Sequence, residues 1–173
     1  MSQTARRILY IEDEEAAQIG LRAVLVSQGH TVDVAENVGR AVELMRQTAY
    51  DLLLLDIMID PGPVLNGVPS REAGKELLLR LRSGQFGPLQ TKENVPVVAI
   101  TAVADLGINR ALQGAGVMEI LPKPIDPEEA CMRIQSMLTG EGGEQGGSRE
   151  AMATPAEAGR RRTVAENHKK DMS

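Results

Sequence analysis

Aromatic residues are nearly missing from this chain. Tyr10, Tyr50 and Phe86 are the whole set, and there is no tryptophan. Modules that read nucleic acid by stacking bases on aromatic faces are excluded on that ground. Positive charge is also short: 19 Lys and Arg stand against 24 Asp and Glu, a formal net charge of −5. The basic footprint of a DNA- or RNA-binding surface is therefore lacking. Cysteine is limited to Cys131, which rules out an internal disulfide and a cysteine-built zinc site. A reducing compartment follows, and a cytoplasmic location is the expectation. No apolar run approaches the roughly 20 residues of a membrane span. Residues 1–7 (MSQTARR) have no signal-peptide core. Neither a nucleic acid nor a membrane is expected as a partner.

What is present is enough apolar material, 42% of 173 residues, for one folded domain. Its pattern alternates. Ile8–Ile11, Thr31–Ala35, Leu52–Leu55, Val97–Ile100 and the short Ile120–Leu121 read as strands. The unbroken aliphatic run Leu52–Leu55 marks a strand covered on both faces. Between the strands, helical spacing runs over Ala16–Gln28 (inner face Ala17, Leu21, Val24, Leu25, Gln28), from the cap Asn37 through Thr48, over Arg71–Arg82 and over Leu106–Gln113. Gly29 reads as the stop after the first helix. The last helix starts on Asp126 as cap, Pro127 at its first position and Glu129 where a capping box needs it. Five strands alternating with five helices predict an α/β fold with a doubly wound parallel sheet.

Composition changes near residue 139. From Gly140 to Gly147 five of eight residues are glycine, and the six acidic and six basic residues of 140–173 cancel. So little apolar surface cannot offset the ordering entropy, so the expected division is a domain over 1–139 and a disordered tail over 140–173. Two connections inside the domain are long, 59–73 and 83–94.

In an open parallel sheet, ligands bind beyond the carboxyl ends of the strands. The first strand ends in Glu12, Asp13, Glu14 and Glu15, the third in Asp56, the fourth in Thr101, and the fifth leads into Lys123. Any one of these is as readily a turn or cap residue. Together they put crowded carboxylates, a hydroxyl and an amine at one edge. Mg²⁺, a hard cation that takes oxygen ligands, suits such carboxylates. The amine and hydroxyl beside it can bind the oxygens of a phosphoryl group.

The segments ILYIEDEE, YDLLLLDIM, VPVVAITA and ILPKP resemble, in order, the signature blocks of the receiver domain of two-component response regulators. The resemblance covers about residues 6–139. It implies a flavodoxin-like strand order, 2-1-3-4-5, and Mg²⁺ as cofactor. It implies that Asp56 accepts a phosphoryl group from a phosphohistidine on a sensor histidine kinase or phosphotransfer protein. Asp13 would bind Mg²⁺ directly, Asp56 and the carbonyl of Met58 would add ligands, and Glu12 would act through water or one carboxylate oxygen. Thr101 and Lys123 would hold phosphoryl oxygens, with Lys123 pairing with Asp56 before phosphorylation. Ala102 is small, which leaves access to the acceptor, and the Lys123–Pro124 bond would be cis.

Departures from the family pattern carry their own expectations. The glycine that closes the acceptor-to-helix connection is Gly74, which leaves roughly ten extra residues beside the site, on ordinary connection lengths. A tolerated surface insertion is the first reading of that loop, since long loops cost little closure entropy; the alternative is that it helps to select the partner or cover the site. The 83–94 loop lies away from the chemistry and holds an exposed-looking Phe86. Ile120 replaces the ring with which the output switch usually answers Thr101, so only aliphatic repacking remains. Met58 and Val103, both apolar, cannot orient an attacking water, and slow loss of phosphate is expected. A stand-alone regulator is expected, monomeric or dimerising on phosphorylation. It would signal by protein contact through a surface that includes Arg110, Glu119 and Arg133. The alternative is a receiver fold kept as a phosphate-independent binding module. A hydrolase with an aspartyl nucleophile needs a second acid two residues on, and Met58 stands there.

Overall fold

The computed structural model describes residues 4–102 and 104–139. Among them the chain forms β1 (Arg7–Ile11), α1 (Glu15–Ser27), β2 (Thr31–Ala35), α2 (Val38–Gln47) and β3 (Leu52–Asp56). It continues with α3 (Ser70–Arg82), β4 (Val97–Thr101), α4 (Leu106–Gly114), β5 (Glu119–Pro122) and α5 (Pro127–Thr139). All five strands are parallel, in the order β2-β1-β3-β4-β5. The fold is thus the expected doubly wound, flavodoxin-like sheet.

Side chains alternate across a strand, and here the alternation builds two cores. Leu9, Ile11, Leu53, Leu55, Val97 and Ala99 pack on one face against Val42 and Met45 of α2, Leu77 and Leu81 of α3 and Leu112 of α4. Ile8, Tyr10, Leu52, Leu54, Val98 and Ile100 pack on the other against Leu21 and Leu25 of α1 and Ile134 of α5. Consecutive leucines in β3 therefore serve opposite cores. Local signals set the helix starts: Asn37 accepts the Arg40 N–H at 2.8 Å and Asp126 accepts the Glu129 N–H at 2.8 Å. A third cap, Asp105 to the Ile108 N–H at 2.9 Å, starts α4. Gly29 follows α1 with φ 91°, a left-handed stop. α1 and α5 touch where a Cβ on Gly20 would come within 2.9 Å of the Pro127 ring.

Two expectations are corrected. Gln28 faces solvent rather than the core, because α1 ends at Ser27 and the chain turns away. Phe86 is buried, 8% exposed, within the first core. The loop around it is folded back by Arg46, which donates to the Phe86 carbonyl at 3.2 Å, and by Thr91, whose hydroxyl donates to the Thr48 carbonyl at 2.6 Å. Arg82 closes the loop by donating to the carbonyls of Ala115 (3.0 Å), Val95 (2.9 Å) and Glu93. Burial lowers the guanidinium's pKa, though an arginine stays charged in proteins. Arg82→Ala strands these acceptors, so a loss of about 2–3 kcal/mol in urea denaturation is expected, with faster amide exchange over 84–95.

The 59–73 stretch, expected to be loop, gives residues 70–73 to α3, and it also contributes to the core. Ile59 and Leu65 are buried, a one-turn 3-10 helix spans Pro63–Leu65, and the Val38 N–H at the start of α2 donates to the Asp60 carbonyl at 3.1 Å. The disordered tail expected over 140–173 lies outside the described residues. No helix among the described residues is long and apolar enough to cross a membrane.

Candidate functional site

Because the sheet is all parallel, β1, β3, β4 and β5 deliver their last residues to one edge. The Glu12 N–H donates to the Ala35 carbonyl at 3.0 Å, which carries the β1–β2 ladder one residue beyond β1. Its side chain is fully buried, while the next residue, Asp13, is exposed. Asp56 ends β3 opposite Ile100 and is 4% exposed. Carboxylate oxygens of Glu12, Asp13 and Asp56 all lie within 4.8 Å of one another. Thr101, buried, ends β4, and its carbonyl accepts the Lys123 N–H at 3.0 Å. The Lys123–Pro124 peptide is cis, as the resemblance implies.

Lys123 organises the charge. Its ammonium donates to Asp56 Oδ2 at 2.7 Å, the expected pairing, and also to Glu12 Oε2 at 2.6 Å. The other carboxylate oxygens accept backbone donors, Oδ1 of Asp56 from the Met58 N–H at 2.9 Å and Oε1 of Glu12 from the Glu14 N–H at 3.1 Å. Burial pushes the Glu12 carboxyl above its ordinary range, with the Lys123 and Glu14 hydrogen bonds pulling the other way. Burial alone would lower the Lys123 ammonium. The hydrogen bonds to Asp56 and Glu12 outweigh it and hold the group firmly protonated.

The structure therefore gathers Glu12, Asp13, Asp56 and Lys123 at one point, with Thr101 and the exposed Ala102 at the adjoining tip. Met58 contributes its backbone here, and its side chain is exposed. Ile120 lies apart, half-buried against the first core. Arg133 pairs with Glu119 on the β5–α5 side, and Arg110 is exposed on α4. Val103 lies outside the described residues. The Glu12–Lys123 contact is not announced by any spacing in the sequence, since residues 12 and 123 meet only through the sheet order.

A parallel α/β sheet whose strand tips hold three clustered acids, a lysine and a threonine defines a phosphoryl-handling signalling module. The chain belongs to the response regulator receiver domain family, which it matches over residues 8–135. Membership makes it a receiver domain, a signalling module. Response regulator MprA of Mycobacterium ulcerans is 31% identical over 132 residues, 76% of this chain and 50% of that protein. MprA of Mycobacterium leprae matches at the same identity and coverage. The chain thus spans about half the length of these curated relatives. Among solved structures, the receiver domain of a Pseudomonas aeruginosa sensor histidine kinase is similar at 28% identity and TM-score 0.58, covering 79% of this chain and 99% of that one. That protein has a magnesium ion coordinated in its active-site cleft. A CheY-like receiver protein from Methanospirillum hungatei shares the fold at 21% identity and TM-score 0.63, over 80% of this chain and 97% of that one.

Proposed function

We propose that Asp56 accepts a phosphoryl group from the phosphohistidine of a sensor kinase or phosphotransfer protein, and that the phosphorylated domain signals through a protein contact. The observation that carries this reading is the Lys123 ammonium held 2.7 Å from a buried aspartate among two further acids. An Asp56 oxygen forms the new bond to phosphorus. The donor's P–N bond breaks, and its electron pair stays on the histidine nitrogen.

Three clustered carboxylates form a hard oxygen donor set that fits Mg²⁺. Glu12, Asp13 and Asp56 would hold the ion together with the Met58 carbonyl. When bound, it supplies positive charge against the transferring phosphoryl oxygens. The chain's own groups do the rest. Lys123 neutralises a phosphoryl oxygen once Asp56 is esterified, the Thr101 hydroxyl donates to another, and Ala102 keeps the approach open. The fixed N–H of Met58 holds the attacking carboxylate in one orientation.

Acetyl phosphate with Mg²⁺, read by intact mass, tests the reading without a kinase. The wild type is expected to gain one phosphoryl group, and Asp56→Asn none. An unmodified wild type would make the chain a phosphate-independent binding module. Modification of both proteins would move the acceptor elsewhere.

A further inference from the structure

One polar side chain outside the acid and lysine set reaches the loop that carries Glu12 and Asp13. Gln18, on α1, donates from Nε2 to the backbone carbonyl of Glu12 at 2.6 Å. The peptide unit is planar, so the Glu12 carbonyl, the Asp13 N–H and the Asp13 Cα share one plane. Holding the carbonyl fixes the position of the Asp13 Cα and the N–Cα axis about which its side chain turns.

The other restraints on this turn are unequal. The Glu12 N–H bond to Ala35 fixes the peptide before Glu12, not the one after it. The Glu14 N–H bond goes to Glu12 Oε1, a carboxylate oxygen that a cation would compete for. Glu14 itself makes no side-chain cap at the start of α1. The Gln18 amide restrains the Glu12–Asp13 peptide without using a carboxylate. It therefore keeps acting when the carboxylates turn to a ligand.

We infer that Gln18 is a positioning residue: its amide holds the Glu12–Asp13 peptide so that a buried and an exposed carboxylate present to one divalent cation. The inference rests on the Mg²⁺ site proposed above. Groups that orient metal ligands from behind change affinity about 10–100-fold when removed.

The test compares the full chain as wild type and Gln18→Leu. The Mg²⁺ dissociation constant is read from amide chemical shifts of residues 12–14. The acetyl phosphate reaction is followed as a function of Mg²⁺ concentration. Leucine has similar bulk and helix preference but no donor, and its dissociation constant is expected to rise about tenfold. The half-saturating Mg²⁺ concentration should rise in parallel, with the rate at saturation within about twofold of wild type. A Leu variant that binds Mg²⁺ as well as the wild type overturns the inference, even if its metal-free melting temperature falls. A wild type that binds no Mg²⁺ overturns the proposed site along with it, which separates the two failures.

Discussion

Gly74→Ala is expected to abolish phosphoryl acceptance at Asp56 and to lower stability by about 2–3 kcal/mol, the usual cost of forcing atoms into a filled space. Gly74 lies on α3, and its N–H donates to the Ile57 carbonyl at 3.1 Å. A Cβ there would stand 2.4 Å from the Asp56 carbonyl oxygen and 2.6 Å from the Ile57 Cα. Both neighbours are backbone, so no rotamer change relieves the clash. Either α3 retreats or the end of β3 moves, and the second takes the acceptor with it. Gly114→Ala is the control, because a Cβ there meets nothing within 4 Å. It should be neutral or slightly stabilising. Urea denaturation and acetyl phosphate labelling check both substitutions. A Gly74→Ala protein labelled at the wild-type rate would refute the argument.

Lys123→Met is expected to cost about 2–4 kcal/mol at neutral pH, because it leaves the carboxylates of Glu12 and Asp56 buried without their counter-charge. The sign of the pH dependence follows from the shifts. The folded-state pKa of Lys123 lies above its ordinary 10.5, so its stabilisation is complete below that value and fades only as pH rises through the folded one. Glu12 is displaced upward from 4.5, so ionising it in the fold carries a penalty that is present at neutral pH and disappears below 4.5. Removing the ammonium deepens that penalty. The gap between wild type and variant should therefore be widest near neutrality and narrow as the pH falls towards 4.5. Denaturation curves at neutral and acidic pH measure it, and a gap independent of pH would contradict the account.

The features legible in the sequence are those set by short-range rules. Leu52–Leu55 announces a two-faced strand because no other element buries four consecutive aliphatics so cheaply in length. Asn37 and the Asp126–Pro127 pair mark helix starts because a cap needs only its own next three residues. Strand-tip chemistry at Glu12, Asp13, Asp56, Thr101 and Lys123 is readable once the sheet is taken as parallel. The strand order was not readable from spacing and came from the family resemblance. Phe86 looked exposed because a lone ring among glycines and a proline has no periodic partner. It is buried within the first core, and Arg46, 40 residues away in sequence, donates to its carbonyl. Gln18 escaped for a related reason, since a glutamine near the start of a helix is ordinary until its amide is seen on the Glu12 carbonyl.

The contact between Gly20 and Pro127 bears on how such a chain can vary over generations. A side chain at 20 needs space now filled by the ring at 127, so a substitution at 20 obliges the ring or its helix to shift. Gly20 lies two residues from Gln18, and Pro127 four from Lys123. A substitution at 20 would therefore press on the start of α5, just after the cis Lys123–Pro124 bond, from the helix that carries Gln18.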